Sequence, residues 1–194
     1  MKIIGLTGQT GAGKSTVAKA LEKSGYYHID ADRVARDVIN ADKGVIAALS
    51  REFGADIVLP DGTVDRKLLA KRAFSSKQNT ERLSETTHPA VVEYIKGIIS
   101  KKEKENIPGV TVDAIGLFES GLAEICDTNV CVVAPEEIRL DRIIKRDKIS
   151  LESARQRISA QKGEDFFLAN ADRVVKNYAP YGLSEQIKEI INDD

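Results

Sequence analysis

Apolar positions fall into two patterns along this chain. One is short, continuous runs rich in β-branched residues, and the other is longer stretches with apolar residues three to four apart. Ile3-Ile4-Gly5-Leu6 predicts a buried strand near Lys2 to Leu6. Tyr27-His28-Ile29 predicts a short second strand ending at Asp30. Gly109-Val110-Thr111-Val112-Asp113 and Val130-Cys131-Val132-Val133 predict two more, and Val174-Val175 marks a last one. Runs this short, bounded by turn residues, fit strands buried on both faces. The stretches Ala31 to Ile39, Gly44 to Phe53, Arg66 to Phe74 and Val91 to Ile99 carry the helical spacing. So do Glu136 to Asp147, Leu151 to Ala160 and Tyr181 to Ile191. Asp61-Gly62 is a turn between helices, and His88-Pro89 is expected to start or bend one. The charged run Lys101-Lys102-Glu103-Lys104-Glu105 reads as a solvated helix end.

Strands alternating with helices imply an α/β fold with a mostly parallel sheet covered on both faces. The region from roughly 31 to 105 has helical character throughout and reads as an insertion into that core. In such folds ligands bind outside the carboxyl ends of the strands.

Composition narrows the class. The chain has 194 residues, enough for one domain with insertions, and a net charge of −1. That balance offers no global attraction for nucleic acid or membrane. No apolar stretch is long enough to span a bilayer, and the N-terminal apolar run is too short for a secretory signal. A cytoplasmic protein is expected. Cys126 and Cys131 are five apart, a spacing that fits neither a redox pair nor half a zinc site. Both read as small core residues.

The strongest chemical signal is Gly8-Gln9-Thr10-Gly11-Ala12-Gly13-Lys14-Ser15. It fills every required position of the G-x-x-x-x-G-K-[ST] phosphate-binding loop, with a strand before it and the helix opening Thr16 to Leu21 after it. Gly8, Gly11 and Gly13 allow the backbone to wrap with its N–H groups inward. The helix start adds unpaired N–H groups and a positive dipole end. On this reading Gly11, Ala12, Gly13, Lys14, Ser15 and Thr16 bind nucleotide phosphates. Lys14 supplies positive charge at the β- and γ-phosphates, and the Ser15 hydroxyl is the expected Mg²⁺ ligand.

The strand-end rule directs attention to carboxylates. Asp30 and Asp32 follow the second strand, and Asp113 ends the third. Phosphoryl transfer to a hydroxyl benefits from a carboxylate that accepts the hydroxyl proton. Two aspartates separated by one residue point to opposite sides of an extended segment. Either one caps the following helix while the other faces the site, or both are cap residues.

With these residues in hand, the chain resembles the dephospho-CoA kinase family. The resemblance is carried by Gly5-Leu6-Thr7-Gly8 with the loop, then His28-Ile29-Asp30-Ala31-Asp32-Arg33-Val34-Ala35-Arg36. It continues through Asp61-Gly62-Thr63-Val64-Asp65-Arg66-Lys67-Leu68-Leu69, His88-Pro89 and Asp113 to Leu117-Phe118-Glu119. It closes with Arg139 to Asp147, Arg157-Ile158, Gln161 and the stretch from Asp172 to Asn177. The blocks stand in family order across nearly the whole chain. The loop alone identifies only a nucleotide binder; the Asp-Ala-Asp, His-Pro and Leu-Phe-Glu segments are far more specific.

The resemblance implies a P-loop kinase with a five-stranded sheet and three parts. These are a nucleotide-binding core (about 1–30, 109–135 and 172–194), a helical substrate-binding insertion (about 31–108) and a small helical lid (about 136–162). It implies ATP- and Mg²⁺-dependent phosphorylation of the ribose 3′-hydroxyl of dephospho-CoA, the last step of coenzyme A synthesis. Asp32 would be the base, with Lys14 and Arg146 as the other catalytic residues. Arg146 would be a lid arginine closing over ATP, while at least one of Arg139 and Arg142 would be solvated. Arg66, His88, Phe118 and Glu119 would line the acceptor side. His88 beside a proline is otherwise a capping or buried hydrogen-bonding residue. Mg²⁺ would take Ser15, with Asp32 or Asp113 through water. The protein would act as a monomer or small homo-oligomer.

Two segments depart from the family pattern. The third strand is usually followed by a proline, which is absent here, and Gly116 takes an apolar position. The late Asn-x-Gly segment reads Asn177-Tyr178-Ala179, so Tyr178 either stacks near adenine or merely packs. Other nucleotide-binding classes fit less well. There is no guanine-reading Asn-Lys-x-Asp motif, and Ala114 stands where a motor-type ATPase has a water-polarising Glu. Another small-molecule kinase of the same fold, acting on a nucleoside or nucleoside monophosphate, is the main alternative.

Overall fold

The computed structural model describes residues 1–192; Asp193 and Asp194, the end of the expected closing core segment, lie outside the described residues. Strand β1 (Lys2–Thr7) leads into helix α1 (Lys14–Lys23) and strand β2 (Tyr27–Asp30). Four helices follow: α2 (Ala31–Ala41), α3 (Lys43–Phe53), α4 (Arg66–Ala73) and α5 (Lys77–Glu103). The chain returns as β3 (Gly109–Asp113) and β4 (Thr128–Val133). It then forms α6 (Glu136–Asp147), α7 (Leu151–Ser159), α8 (Glu164–Asn170), β5 (Arg173–Lys176) and α9 (Leu183–Asn192). No described helix is long and apolar enough to cross a membrane.

The five strands form one sheet in the order β2-β3-β1-β4-β5. β1 pairs in parallel with β3, Leu6 opposite Asp113, and with β4, Thr7 opposite Cys131. β4 pairs in parallel with β5. Parallel neighbours require crossover helices, which cover both faces. The three central strands are accordingly apolar along their length, with Ile4, Leu6, Val110, Val112, Val130 and Val132 buried. Helices α1 and α9 bring Val17, Leu21, Ile187 and Ile190 onto this sheet. Each such side chain, fully buried, contributes roughly 1.5–3 kcal/mol of burial free energy.

The chain divides into two compact units, Met1–Ile29 with Lys102–Asp194, and Asp30–Lys101. Within the helical unit, carboxylates set the helix starts. Asp42 ends α2 and caps α3, accepting from the N–H groups of Gly44 and Val45 at 2.8 and 3.0 Å. Asp65 caps α4 through Lys67 and Leu68, both at 3.0 Å. The Asp61-Gly62 turn forms as expected. The Asp61 carboxylate accepts from the Thr63 N–H, and Val58 bridges antiparallel to Val64. Arg72 grips Asp56 through two bonds of 2.6 Å, which holds the Asp56 carboxyl below its ordinary range.

One expectation is overturned in part here. No helix begins at His88-Pro89: both residues lie inside the single 27-residue helix α5. Proline removes one donor from a helix interior, but here the apolar stripe continues across it. Thr87, Val91, Ile95 and Ile99 are all buried, and their packing outweighs one missing bond. Helix α8 was not legible in the sequence, because Phe166-Phe167-Leu168-Ala169 has no helical periodicity. Only Phe167 of that run is buried.

Helices α6 and α7 share their own small core of Leu140, Ile143, Ala154 and Ile158. Ser150 caps α7 through the Ser153 N–H at 3.2 Å.

Candidate active site

The loop between β1 and α1 is built by close approach. Gly8 has φ +140°, and a Cβ there would lie 2.3 Å from the carbonyl oxygen of Val132 on β4. Gly13 has φ +94°, and a Cβ would lie 2.0 Å from the Asn177 amide nitrogen. Both positions require glycine on conformational and steric grounds. Gly13 is also the N-cap of α1, and no side chain caps this helix. The Thr16 N–H closes onto the Gly13 carbonyl at 2.9 Å, and the N–H groups of Lys14 and Ser15, with the helix dipole, remain available to an anion. Lys14 begins the helix and folds back so that its Nζ stands 3.5 Å from the Gly8 carbonyl oxygen. Ser15 and Thr16 are exposed at the same helix end.

The loop is held from outside by residues distant in sequence. Gln9 donates through Nε2 to the Lys162 carbonyl at 2.9 Å, and the Thr10 N–H donates to Gln161 Oε1 at 2.7 Å. Arg142 donates through Nη1 to the carbonyls of Gly11 and Ala12 at 3.1 and 3.0 Å, and through Nη2 to that of Asn177 at 2.7 Å. Asn177 Nδ2 donates to the Ala12 carbonyl at 2.9 Å. Arg139 is buried and donates through Nε to Ala134 at 3.1 Å. The expectation that at least one of Arg139 and Arg142 is solvated is therefore incorrect. Residues 139, 140 and 143 form the buried stripe of α6, and position 142 sits beside it. That helical spacing was the only signal in the sequence.

The strand ends next to the loop carry further polar groups. Asp113 closes β3, and its Oδ2 lies 3.5 Å from His28 Nε2 on β2. The turn after Asp113 carries Phe118 and Glu119. Phe118 is half-buried and edge-on to Phe166 at 6.1 Å, and Glu119 is exposed. Glu119, Ile115, Gln161 and Lys162 line a hollow of about 350 Å³. Gly116 has no positive φ, and a Cβ there would meet only Glu119 Oε2, at 4.0 Å, so the backbone does not demand glycine at this departure from the family pattern. Tyr178 stacks edge-on against Tyr181 at 5.1 Å.

Cys131 is buried under the loop, and burial pushes its thiol up to about 12, with Glu164 adding to the rise and Lys14 opposing it. Cys126 is half-buried rather than fully in the core, and its thiol is likewise pushed up to about 12 by burial. Neither is a thiolate near neutral pH.

In the helical unit, Asp30 accepts the Arg33 N–H at 2.8 Å and so caps α2. Asp32 stands exposed in the first turn of that helix. Arg66 is exposed at the first residue of α4, and His88 is half-buried on α5. On α6, Arg146 is exposed and bound to its neighbour Asp147 through Nε and Nη2 at 2.7 and 2.9 Å; Arg157 of α7 reaches the same carboxylate. The Arg146 guanidinium, foremost, holds the Asp147 carboxyl below its ordinary range.

Among the described residues, no group of three or more His, Cys, Asp or Glu could hold a metal ion. The hydroxyl of Ser15 and the carboxylate of Asp113 are hard oxygen donors of the kind Mg²⁺ prefers. A Mg²⁺ that arrives with a nucleotide takes most of its ligands from phosphate and water.

Residues 2–181 match the dephospho-CoA kinase family. This chain belongs to the dephospho-CoA kinase family. Family members are kinases, and thus transferases. The chain is 38% identical over 175 residues to the dephospho-CoA kinase of Fusobacterium nucleatum, covering 90% of this chain and 89% of that one. It is 38% identical over 174 residues to that of Corynebacterium glutamicum, covering 90% and 87%. The solved dephospho-CoA kinase of Campylobacter jejuni superposes with a TM-score of 0.70 at 28% identity, covering 98% of this chain and 96% of that one. These relatives agree with the five-stranded P-loop kinase architecture described above.

Proposed function

We propose that this chain transfers the γ-phosphoryl group of ATP to the ribose 3′-hydroxyl of dephospho-CoA, giving coenzyme A. The observation that carries this reading is the family match across residues 2–181. The uncapped, glycine-built loop supports it by supplying a phosphate site of the required kind.

In this reading the N–H groups at the start of α1 and the Lys14 ammonium hold the β- and γ-phosphates and balance the charge of the transferring group. Bound Mg²⁺ would supply further charge neutralisation across the phosphates, with Ser15 as its ligand and Asp113 or Asp32 acting through water. Asp32 is assigned as the base that accepts the 3′-hydroxyl proton. The Asp30 carboxylate, which accepts the Arg33 N–H, is left with a structural or metal-water role. Arg66, His88, Phe118 and Glu119 are assigned to the acceptor side.

The test is direct. With ATP and Mg²⁺, the purified protein is expected to add one phosphate to dephospho-CoA, read by mass spectrometry. No phosphorylation of dephospho-CoA, with a nucleoside phosphorylated instead, would assign the acceptor to the alternative kinase class.

Lid closure gives a second expected outcome. Phosphoryl transfer must exclude water from the site. Arg146 on α6 is assigned to close over the phosphates, exchanging its Asp147 partner for ATP. Arg146→Ala should lower kcat by tenfold or more, about 1.4 kcal/mol of barrier. Its melting temperature should hardly change, because an exposed pair contributes little stability. Hydrogen exchange over residues 139 to 160 should slow when both substrates are bound. Unchanged exchange together with a fully active variant would leave α6 as a fixed surface helix.

A further inference from the structure

We propose that Arg142 and Asn177 are positioning residues for the phosphate loop. They hold its carbonyls outward and so aim its N–H groups at the nucleotide phosphates. The proposal rests on the reading of this loop as the ATP phosphate site.

The peptide group is planar and trans, so a carbonyl and the N–H of the following residue point in opposite directions. Fixing the Ala12 carbonyl fixes the direction of the Gly13 N–H, and fixing the Gly13 carbonyl does the same for Lys14. The Ala12 carbonyl accepts from both Arg142 Nη1 and Asn177 Nδ2, at 3.0 and 2.9 Å. The Gly13 carbonyl accepts from Asn177 Nδ2 at 3.4 Å and from the Thr16 N–H at 2.9 Å. The Ala12 N–H is different: it closes a turn onto the Gln9 carbonyl at 3.1 Å, which leaves Gly13 and Lys14 as the directed donors.

The two side chains are themselves coupled. Arg142 Nη2 donates to the Asn177 carbonyl at 2.7 Å, so the guanidinium spans the end of β5 and the loop at once. Only a planar fork covers three carbonyls in this way; a lysine ammonium offers a single point. A charged donor on one face of a peptide also polarises it, which strengthens the N–H on the other face. The glycine at position 13 belongs to the same device. Any Cβ there would collide with Asn177 Nδ2, so the asparagine can reach the loop only because position 13 is glycine.

A packing role and a positioning role predict different binding data. ATP and adenosine are titrated by calorimetry into the wild-type protein, R142A, R142K and N177A, with melting temperatures measured alongside. The wild-type protein should bind ATP more tightly than adenosine. R142A should lose at least about tenfold in ATP affinity, the scale of a charged hydrogen bond, and keep its adenosine affinity within about twofold. R142K should lose nearly as much as R142A. N177A should lose less, and the double variant should lose less than the product of the two, because the residues share the Ala12 carbonyl. An undiminished advantage for ATP over adenosine in R142A overturns the proposal, and so does an equal loss for adenosine, which would place Arg142 at the base. If R142A does not fold, R142K and N177A carry the same comparison. A wild-type protein with no preference for ATP over adenosine would overturn the phosphate-loop reading itself.

Discussion

Lys14→Ala is expected to lower phosphoryl transfer by two or more orders of magnitude while the protein stays folded. The physical basis is the difference between what Lys14 does for the fold and what it does for a phosphate. For the fold, its ammonium makes one long contact of 3.5 Å with the Gly8 carbonyl. At that length the contact is at the limit of a hydrogen bond and contributes little to stability. For a transferring phosphoryl group, a fixed positive charge at the β- and γ-oxygens acts where negative charge is concentrated. Losing it removes roughly 3 kcal/mol or more of transition-state stabilisation. The aliphatic stem adds nothing to the buried set of α1, which is Val17, Ala18 and Leu21. Steady-state kinetics with a thermal melt on the same preparation checks both halves. A folded variant with near-normal turnover would take the loop out of the mechanism.

The second large effect separates two aspartates that look alike in the sequence. Asp32→Asn is expected to reduce kcat by about 10²–10⁴-fold, the usual worth of a general base, because an amide cannot accept the ribose hydroxyl proton. ATP affinity should change little, since the loop and Lys14 carry that binding. Asp30→Asn should be mild by comparison. Its carboxylate accepts the Arg33 N–H at 2.8 Å as the cap of α2, and asparagine caps a helix as well as aspartate does. The comparison is read from kcat and from the ATP titration of both variants. A nearly inactive Asp30→Asn beside a nearly normal Asp32→Asn would move the base to the other carboxylate.

The capping bond shows how far a sequence reading reaches. Asp-Ala-Asp at a strand–helix junction signals a cap, and the structure assigns that cap to Asp30. The helices with clear apolar spacing also appear where that spacing puts them; Glu136–Asp147 agrees at both ends, and β3 spans Gly109–Asp113 as read. These elements were legible because burial of one face is a local, periodic property. Where the pattern conflicted with a local breaker, packing won. Pro89 sits inside α5 because Thr87, Val91, Ile95 and Ile99 form one buried stripe across it. Where the pattern was absent, as in Phe166-Phe167-Leu168-Ala169, the helix could not be read.

The sequence by itself determined the phosphate loop, the strand–helix alternation and the family, since each depends on residue types at fixed spacing. The tertiary structure decided what holds the loop. Gln161 and Lys162 meet Thr10 and Gln9 across more than 150 positions, and Arg142 and Asn177 reach the carbonyls of Gly11, Ala12 and Gly13 from α6 and the end of β5. Their partners are backbone carbonyls, which every residue carries. No side-chain pattern can reveal such a contact, and only the parallel order β1-β4-β5 brings those segments to one end of the sheet.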